Sequence, residues 1–367
     1  MLSRLRRRLG ARGLAALLVA VAFLLTRALA IASTYAGAAT ISEQKRAVWQ
    51  YRPGGLRPEQ PPRVLEPLQR WDADFYANLA LRGYPSGDHP RPVYALGFLP
   101  LYPLVVRAGT RLTGNVYWAA FIVSNLSALL AALILVELGA IRRRWDGLRA
   151  ALLFLAAPGA NFLSYPYSEA LFALALAAGL LAARSGKFAT AVVAGAAASA
   201  TRPTGIAVAL ALASVPTPRR LLAALLAIGG LAAFALWCAR TYGDALAFVH
   251  IQATHGRVLS LLGPLRALFS LSVDPDYYVV TVAAIAAAVL MVRRTPPWVW
   301  LTAWLLLLLP LATGTMHAMV RYQSNNVPLL CGTAAILHGR RFWLVIALSL
   351  ALMCVEALLY GQGHAHY

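Results

Sequence analysis

The chain has 367 residues, of which 60% are apolar or aromatic and only 13% are charged. Soluble domains carry about 45–50% apolar and roughly 25% charged residues, so a mean hydropathy of +0.65 excludes an ordinary soluble domain and a disordered chain. The 33 Lys and Arg against 13 Asp and Glu give a net charge of +20, which reads as membrane topology rather than nucleic-acid binding, because the arginines cluster at the ends of apolar runs.

The runs are long and do not alternate, which excludes a β-barrel. A first span is predicted over 14–36. Arg27 interrupts it and no clean cleavage site follows, so it reads as a retained helix with a cytosolic N-terminus. A polar segment rich in Pro, Arg and aromatics, 37–92, forms the first external loop. Further apolar stretches run at 93–112, 115–139, 148–164, 166–184, 188–214, 220–239, 277–292, 298–314, 327–338 and 342–360. The 93–112 stretch, with Pro100 and Pro103, is expected at the interface. The 188–214 stretch is broken at Arg202-Pro203 and reads as a hairpin of two half-helices. The fold class is therefore all-α, a polytopic membrane bundle of about 10–11 transmembrane or re-entrant helices in a single domain over 1–367. Cys238, Cys331 and Cys354 lie scattered in apolar sequence, which argues against a disulfide scaffold or a zinc site.

The basic residues test this threading. Arg4, Arg6, Arg7, Arg8 and Arg12 precede the first span. Arg142–Arg144 with Arg149, Arg184 with Lys187, Arg219-Arg220, Arg293-Arg294 and Arg340-Arg341 mark the later cytosolic turns. Most acids, including Glu43, Asp72, Asp74, Asp88 and Glu169, then fall on the other side.

Six segments can carry chemistry. In RWDADFYANLALRGYP (70–85), Trp71, Phe75 and Tyr76 suit the headgroup level and Asp72 and Asp74 lie one residue apart. In FLPLYPLVVR (98–107), Tyr102 offers a hydroxyl and Arg107 a fixed charge. In NFLSYPYSEALF (161–172), Glu169 starts an apolar helix, where the helix dipole favours an acid and Ser168 can cap. The Tyr165-Pro166-Tyr167 bend equally suits a substrate-facing rim. In SATRPTG (199–205), Arg202 sits deep in apolar sequence, either a functional arginine or a snorkelling one. TYGDALAFVHIQATHGR (241–257) brings Gln252 and His255, with a histidine spacing unlike a helical metal pair. HAMVRYQSNNVP (317–328) brings Arg321 and Tyr322, where an arginine reads phosphate or simply flanks a span.

These segments resemble the PIG-V-like mannosyltransferases, an integral-membrane glycosyltransferase group of the GT-C type. RWDADFYANLALRGYP resembles the family signature WDxxxYxxIAxxGY, FLPLYPLVVR its FFPLYPLLxR segment, SYPYSEALFALAL its APYSESLF helix and ATRPTGI its AtRsnGi element. GDALAFVHIQATHGR and RYQSNNVPLL match softer segments in the same order. Phe75 stands where some members carry His, and Pro203-Thr204 replaces a Ser-Asn pair.

The resemblance implies transfer of a mannosyl or similar hexosyl group from a polyprenyl-phosphate sugar to a lipid, glycan or protein hydroxyl. The site would face the exterior of the cell membrane, among membrane lipids, with no nucleic-acid partner. Inverting transfer needs one base. A lipid phosphate leaves as a stable anion and needs cations rather than an acid. Asp72 is the expected base, with Asp74 second or as a sugar-orienting partner. Arg202 and Arg321 are expected at the donor phosphate. Glu169, Tyr102 and Gln252 are expected at sugar hydroxyls, with Trp71, Tyr76, Arg107, Tyr167, His255 and Tyr322 lining the substrate site. No cofactor is expected, and a divalent metal at the Asp72-Asp74 pair is not favoured. A lipid-linked sugar flippase and a non-catalytic transferase subunit are the alternatives. The first lacks the internal repeat such transporters show.

Overall fold

The computed structural model describes residues 2–42, 59–86, 94–270 and 274–364, with side chains at 10 and from 12 onward. The side chains of Arg4, Arg6, Arg7 and Arg8, and the loop acids Glu43 and Asp88, lie outside the described residues. Among those described are seventeen α-helices and no strand. In chain order they are α1 (Leu2–Ala39), α2 (Asp72–Arg82), α3 (Leu101–Thr113), α4 (Val116–Leu138), α5 (Arg144–Ala156) and α6 (Glu169–Arg184). Next come α7 (Phe188–Thr201), α8 (Ala207–Ala213), α9 (Pro218–Ala227), α10 (Gly229–Tyr242), α11 (Ala247–His250) and α12 (Gly263–Phe269). The last are α13 (Pro275–Met291), α14 (Pro297–Leu311), α15 (Met319–Ser324), α16 (Val327–Ile336) and α17 (Gly339–Gln362).

Local chemistry sets many of the ends. Asn115 accepts from the N–H groups of Tyr117 and Trp118 to start α4, and Thr217 accepts from Arg220 to start α9. Such caps satisfy orphan donors of the first turn. Gly114, at φ +69°, closes α3.

Three helices are long and apolar enough to cross a membrane: Arg12–Ala39 within α1, α4, and α17. The pair α9 and α10 is apolar enough together but is bent by 44° at its break, the geometry of a broken span or a re-entrant loop. Helices α7, α13, α14 and α16 are apolar but shorter. The molecule is thus an all-helical polytopic membrane bundle. Pro, Gly and charged residues divide its remaining apolar stretches into these shorter helices.

The hairpin expected at 188–214 is present. Helix α7 rises to Arg202, a short 3₁₀ turn over Pro203–Ile206 reverses the chain, and α8 descends. The return is marked by Arg220, whose guanidinium lies 5.9 Å from the Phe188 ring at the foot of α7. Gly205 makes the reversal possible, since a Cβ there would stand 2.2 Å from the Ala198 carbonyl carbon. Helices α1 and α17 pack along each other. Gly37 and Gly361 allow their close crossing, where a Cβ would meet Leu358 O at 2.0 Å and Thr34 O at 2.1 Å respectively.

The charges sort to two ends of the bundle. At one end Arg12 pairs with Glu137 at 3.2 Å, and Arg184 donates to the carbonyls of Leu138 and Ala140. Asp146 there takes Arg149, the Arg143 N–H and, at 3.8 Å, His338. At the other end stand Asp72, Glu169, Arg202 and Arg321. Arg27 lies between the two ends, buried within α1, and donates to the carbonyls of Leu155 and Ala160 where α5 gives out.

Candidate functional site

Asp72 opens α2 directly after Trp71, whose φ of +57° is rare for a bulky residue. The turn is clamped from behind. Arg70 is buried and donates to the Gly361 carbonyl, its own carbonyl accepts from Tyr167 at 2.9 Å, and the Tyr360 hydroxyl sits on the Leu68 and Arg70 backbone. Arg321 belongs to the six-residue α15, which starts at Ala318 with φ +66°. Trp71 and Ala318 are the two non-glycine residues with positive φ among those described. Both stand at the entrance to an element that delivers a charge to the same cluster. Such conformations cost about 1–3 kcal/mol each and gather at functional sites.

The cluster is a chain of four charges. Arg321 Nη1 donates to Asp72 Oδ2 at 2.7 Å. Arg321 Nε lies 3.1 Å from Glu169 Oε1, and Arg202 Nη1 reaches the same oxygen at 2.5 Å. Side-chain exposure rises outward from 1% at Glu169 and 7% at Arg321 to 18% at Arg202 and 25% at Asp72. Glu169 is therefore an enclosed counter-ion, while Asp72 and Arg202 form the accessible ends. Its second oxygen, Oε2, is buried without a hydrogen-bond partner among the described residues.

Aromatic rings wall the cluster. Arg202 lies 4.8 Å from the centroid of Tyr322, and Arg321 lies 5.4–5.5 Å from Tyr322, Tyr167 and Phe162. Burial pushes the Tyr322 phenol up, but the guanidiniums of Arg257, Arg321 and Arg202 outweigh it and bring it down to about 8.

Not every predicted residue joins. Asp74 is half-buried in the first turn of α2, and at 100° per residue positions i and i+2 do not share a helix face. Asp72 and Asp74 therefore point from different faces of α2. Ser168 makes no cap to α6, since its Oγ accepts from Tyr76 at 2.8 Å. Tyr165 and Tyr167 form no exposed rim. Both are buried, and Tyr165 stacks on Tyr360 at 4.1 Å.

Tyr76 and Tyr102 are buried edge to face at 4.8 Å, with the Tyr102 hydroxyl on Ser124. Phe75 stacks on Phe98, and Trp71 is half-buried. Arg107 donates to the Ala80 and Leu79 carbonyls and so caps the end of α2. Replacing Arg107 by Ala is expected to cost about 1.5–3 kcal/mol of stability, read by thermal unfolding in detergent. Gln252 sits against Gly97 and within 3.5 Å of Arg257. His255 is exposed, edge-on to Tyr94 and beside Thr254.

Sequence reasoning missed Arg70 and Tyr360 as members of this neighbourhood, and noted Arg257 in its segment without giving it a role. Arg257 Nη1 lies 3.4 Å from the Tyr322 hydroxyl. Its place beside Gln252 and His255 was the available signal. Among the described residues no group of three or more His, Cys, Asp or Glu is arranged to hold a metal.

A membrane bundle with an acid–arginine cluster at one end is a scaffold suited to transfer chemistry at the lipid boundary. A family model described as Mannosyltransferase (PIG-V) matches residues 17–226, more than half of the chain. The chain belongs to that family, and it is a membrane glycosyltransferase of the mannosyltransferase type. The matched region holds Asp72, Glu169 and Arg202, whereas Arg257, Arg321 and Tyr322 lie beyond it. Neither a curated protein nor a solved structure matches the chain.

Proposed function

We propose that this protein is a GT-C-type enzyme that moves a hexose, mannose in the first instance, from a polyprenyl-phosphate sugar to a hydroxyl of a glycolipid, glycan or protein. The reaction inverts the anomeric centre and takes place on the non-cytosolic face of the cell membrane. The observation that carries this reading is the accessible Asp72 carboxylate held 2.7 Å from Arg321 at the end of a cluster that also presents Arg202.

Asp72 takes the proton of the acceptor hydroxyl as its oxygen bonds to the anomeric carbon. The bond from that carbon to the phosphate oxygen breaks, and the phosphate leaves with the electron pair. A poor leaving group needs a second carboxyl as acid, but a lipid phosphate leaves as an anion that guanidiniums stabilise. Arg202 is placed for that role. Arg321 aligns Asp72 and adds its charge. Glu169 holds the two arginines together as their shared counter-ion, and neither metal nor cofactor enters the scheme.

The test gives purified protein a synthetic polyprenyl-phosphate mannose and a membrane lipid extract, and follows release of polyprenyl phosphate. Release by wild type supports the reading. Silence with mannose, glucose and arabinose donors alike overturns it. Tyr322 adds a pH signature. Above about pH 8 its phenol ionises and cancels part of the positive charge facing the donor. The KM for donor is therefore expected to rise above that pH in wild type and to stay flat in Tyr322→Phe.

A further inference from the structure

Arg257 lies on the turn after the 3₁₀ segment Ile251–His255 and is half-buried. Its side-chain contacts are long and neutral, to the Tyr322 hydroxyl at 3.4 Å and to Gln252 Oε1 at 3.5 Å. Arg202 and Arg321 are each tied to a carboxylate, but Arg257 has no ion pair among the described residues. Three guanidiniums thus converge on one phenol ring and its hydroxyl, and one of them is uncompensated.

We propose that Arg257 is a specificity-determining residue that receives the donor phosphate and sets its charge, selecting a singly charged phosphodiester over a diphosphate. The inference rests on the lipid-phosphate donor proposed above. Three arginines against Asp72 and Glu169 leave one positive charge in the cluster, which matches the single negative charge of a sugar phosphodiester. Transfer keeps the match. The acceptor proton moves to Asp72, which removes one negative charge from the cluster. The bond from the anomeric carbon to phosphate breaks, and the leaving phosphate monoester gains one. Without Arg257 the cluster is neutral before transfer, and the phosphate arrives unmatched. A diphosphate-linked sugar brings a surplus charge from the start.

The measurement is binding of farnesyl methyl phosphate, a singly charged phosphodiester, of the doubly charged farnesyl methyl diphosphate and of uncharged farnesol to full-length wild type, Arg257→Gln and Arg257→Lys in detergent. Loss of a charged hydrogen bond predicts about a tenfold or larger weakening of phosphodiester binding in Arg257→Gln. Farnesol binding should be unmoved, and Arg257→Lys should retain most of the affinity. Wild type should also bind the phosphodiester more tightly than the diphosphate. Unchanged phosphodiester affinity in Arg257→Gln overturns the proposal, as does equal loss for farnesol or preference for the diphosphate. A protein that binds the phosphodiester through Arg257 but turns over no sugar donor keeps this inference and removes the transferase reaction.

Discussion

Replacing Asp72 by Asn is expected to lower kcat by roughly 10²–10⁴-fold, the usual share of a positioned general base. The change is isosteric, and an amide oxygen still accepts from Arg321 Nη1, so KM for donor should move little. Lost is the capacity to take a proton. Asp72 is one-quarter exposed and sits at the mouth of the cluster, which is where an acceptor hydroxyl must arrive. Asp74→Asn is the comparison. It lies on another face of α2, so its effect should stay within a few-fold. Sugar transfer measured on both variants, each checked for cooperative thermal unfolding, decides the matter. A folded Asp72→Asn protein with wild-type kcat removes Asp72 as the base.

Arg321→Leu is expected to be the most damaging single change for stability. Its side chain is 7% exposed and bridges Asp72 and the buried Glu169. Removing one partner of a buried ion pair costs about 3–5 kcal/mol, because the remaining charge is left without compensation. Here two carboxylates lose a partner at once. Arg321→Lys should recover only part of the loss, since an ammonium is a point charge and does not span two acids as a guanidinium fork does. Arg202→Leu should cost less, because Arg202 is more exposed and Glu169 keeps Arg321. Adding Glu169→Gln to Arg321→Leu should return part of the stability by removing the stranded buried charge. Thermal or denaturant unfolding in detergent reads these values, with Glu169→Gln alone completing the double-mutant cycle.

Much of the architecture was legible in the chain. Apolar runs of 20 residues with basic ends have one solution in a membrane, so α4, α17 and the hairpin at Arg202-Pro203 follow from pattern alone. Of the charged members, Glu169 and Arg202 drew notice because a charge in apolar sequence is costly, Asp72 through its place in the WD segment, and Arg321 as an external arginine suited to phosphate. The aromatic residues were not. Tyr102, Tyr165 and Tyr167 look like interfacial rings in one dimension, yet all three are buried. Their fate is decided by distant partners such as Tyr360, whose contact with Arg70 spans 290 residues. Arg107 looked like a substrate cation for a related reason. Whether an arginine meets a ligand or a helix end depends on where α2 stops, and the carbonyls of Leu79 and Ala80 carry no sequence mark. Arg257 was noted but given no role, because a lone arginine after a histidine-bearing loop resembles any flanking residue.

The bond between Asp72 and Arg321 joins residues 249 positions apart. At a synthesis rate of about 5–20 residues per second, roughly 12–50 s separate their emergence from the ribosome. Glu169 and Arg202 are only 33 residues apart and can pair early. For the rest of that interval Asp72 waits beside a membrane without its counter-ion. The turn at Trp71 waits longer still, because its clamp, Tyr360 and the Gly361 carbonyl, follows Arg321 in the chain. A nascent chain that has not yet reached α17 therefore lacks the support of the turn that aims its candidate base.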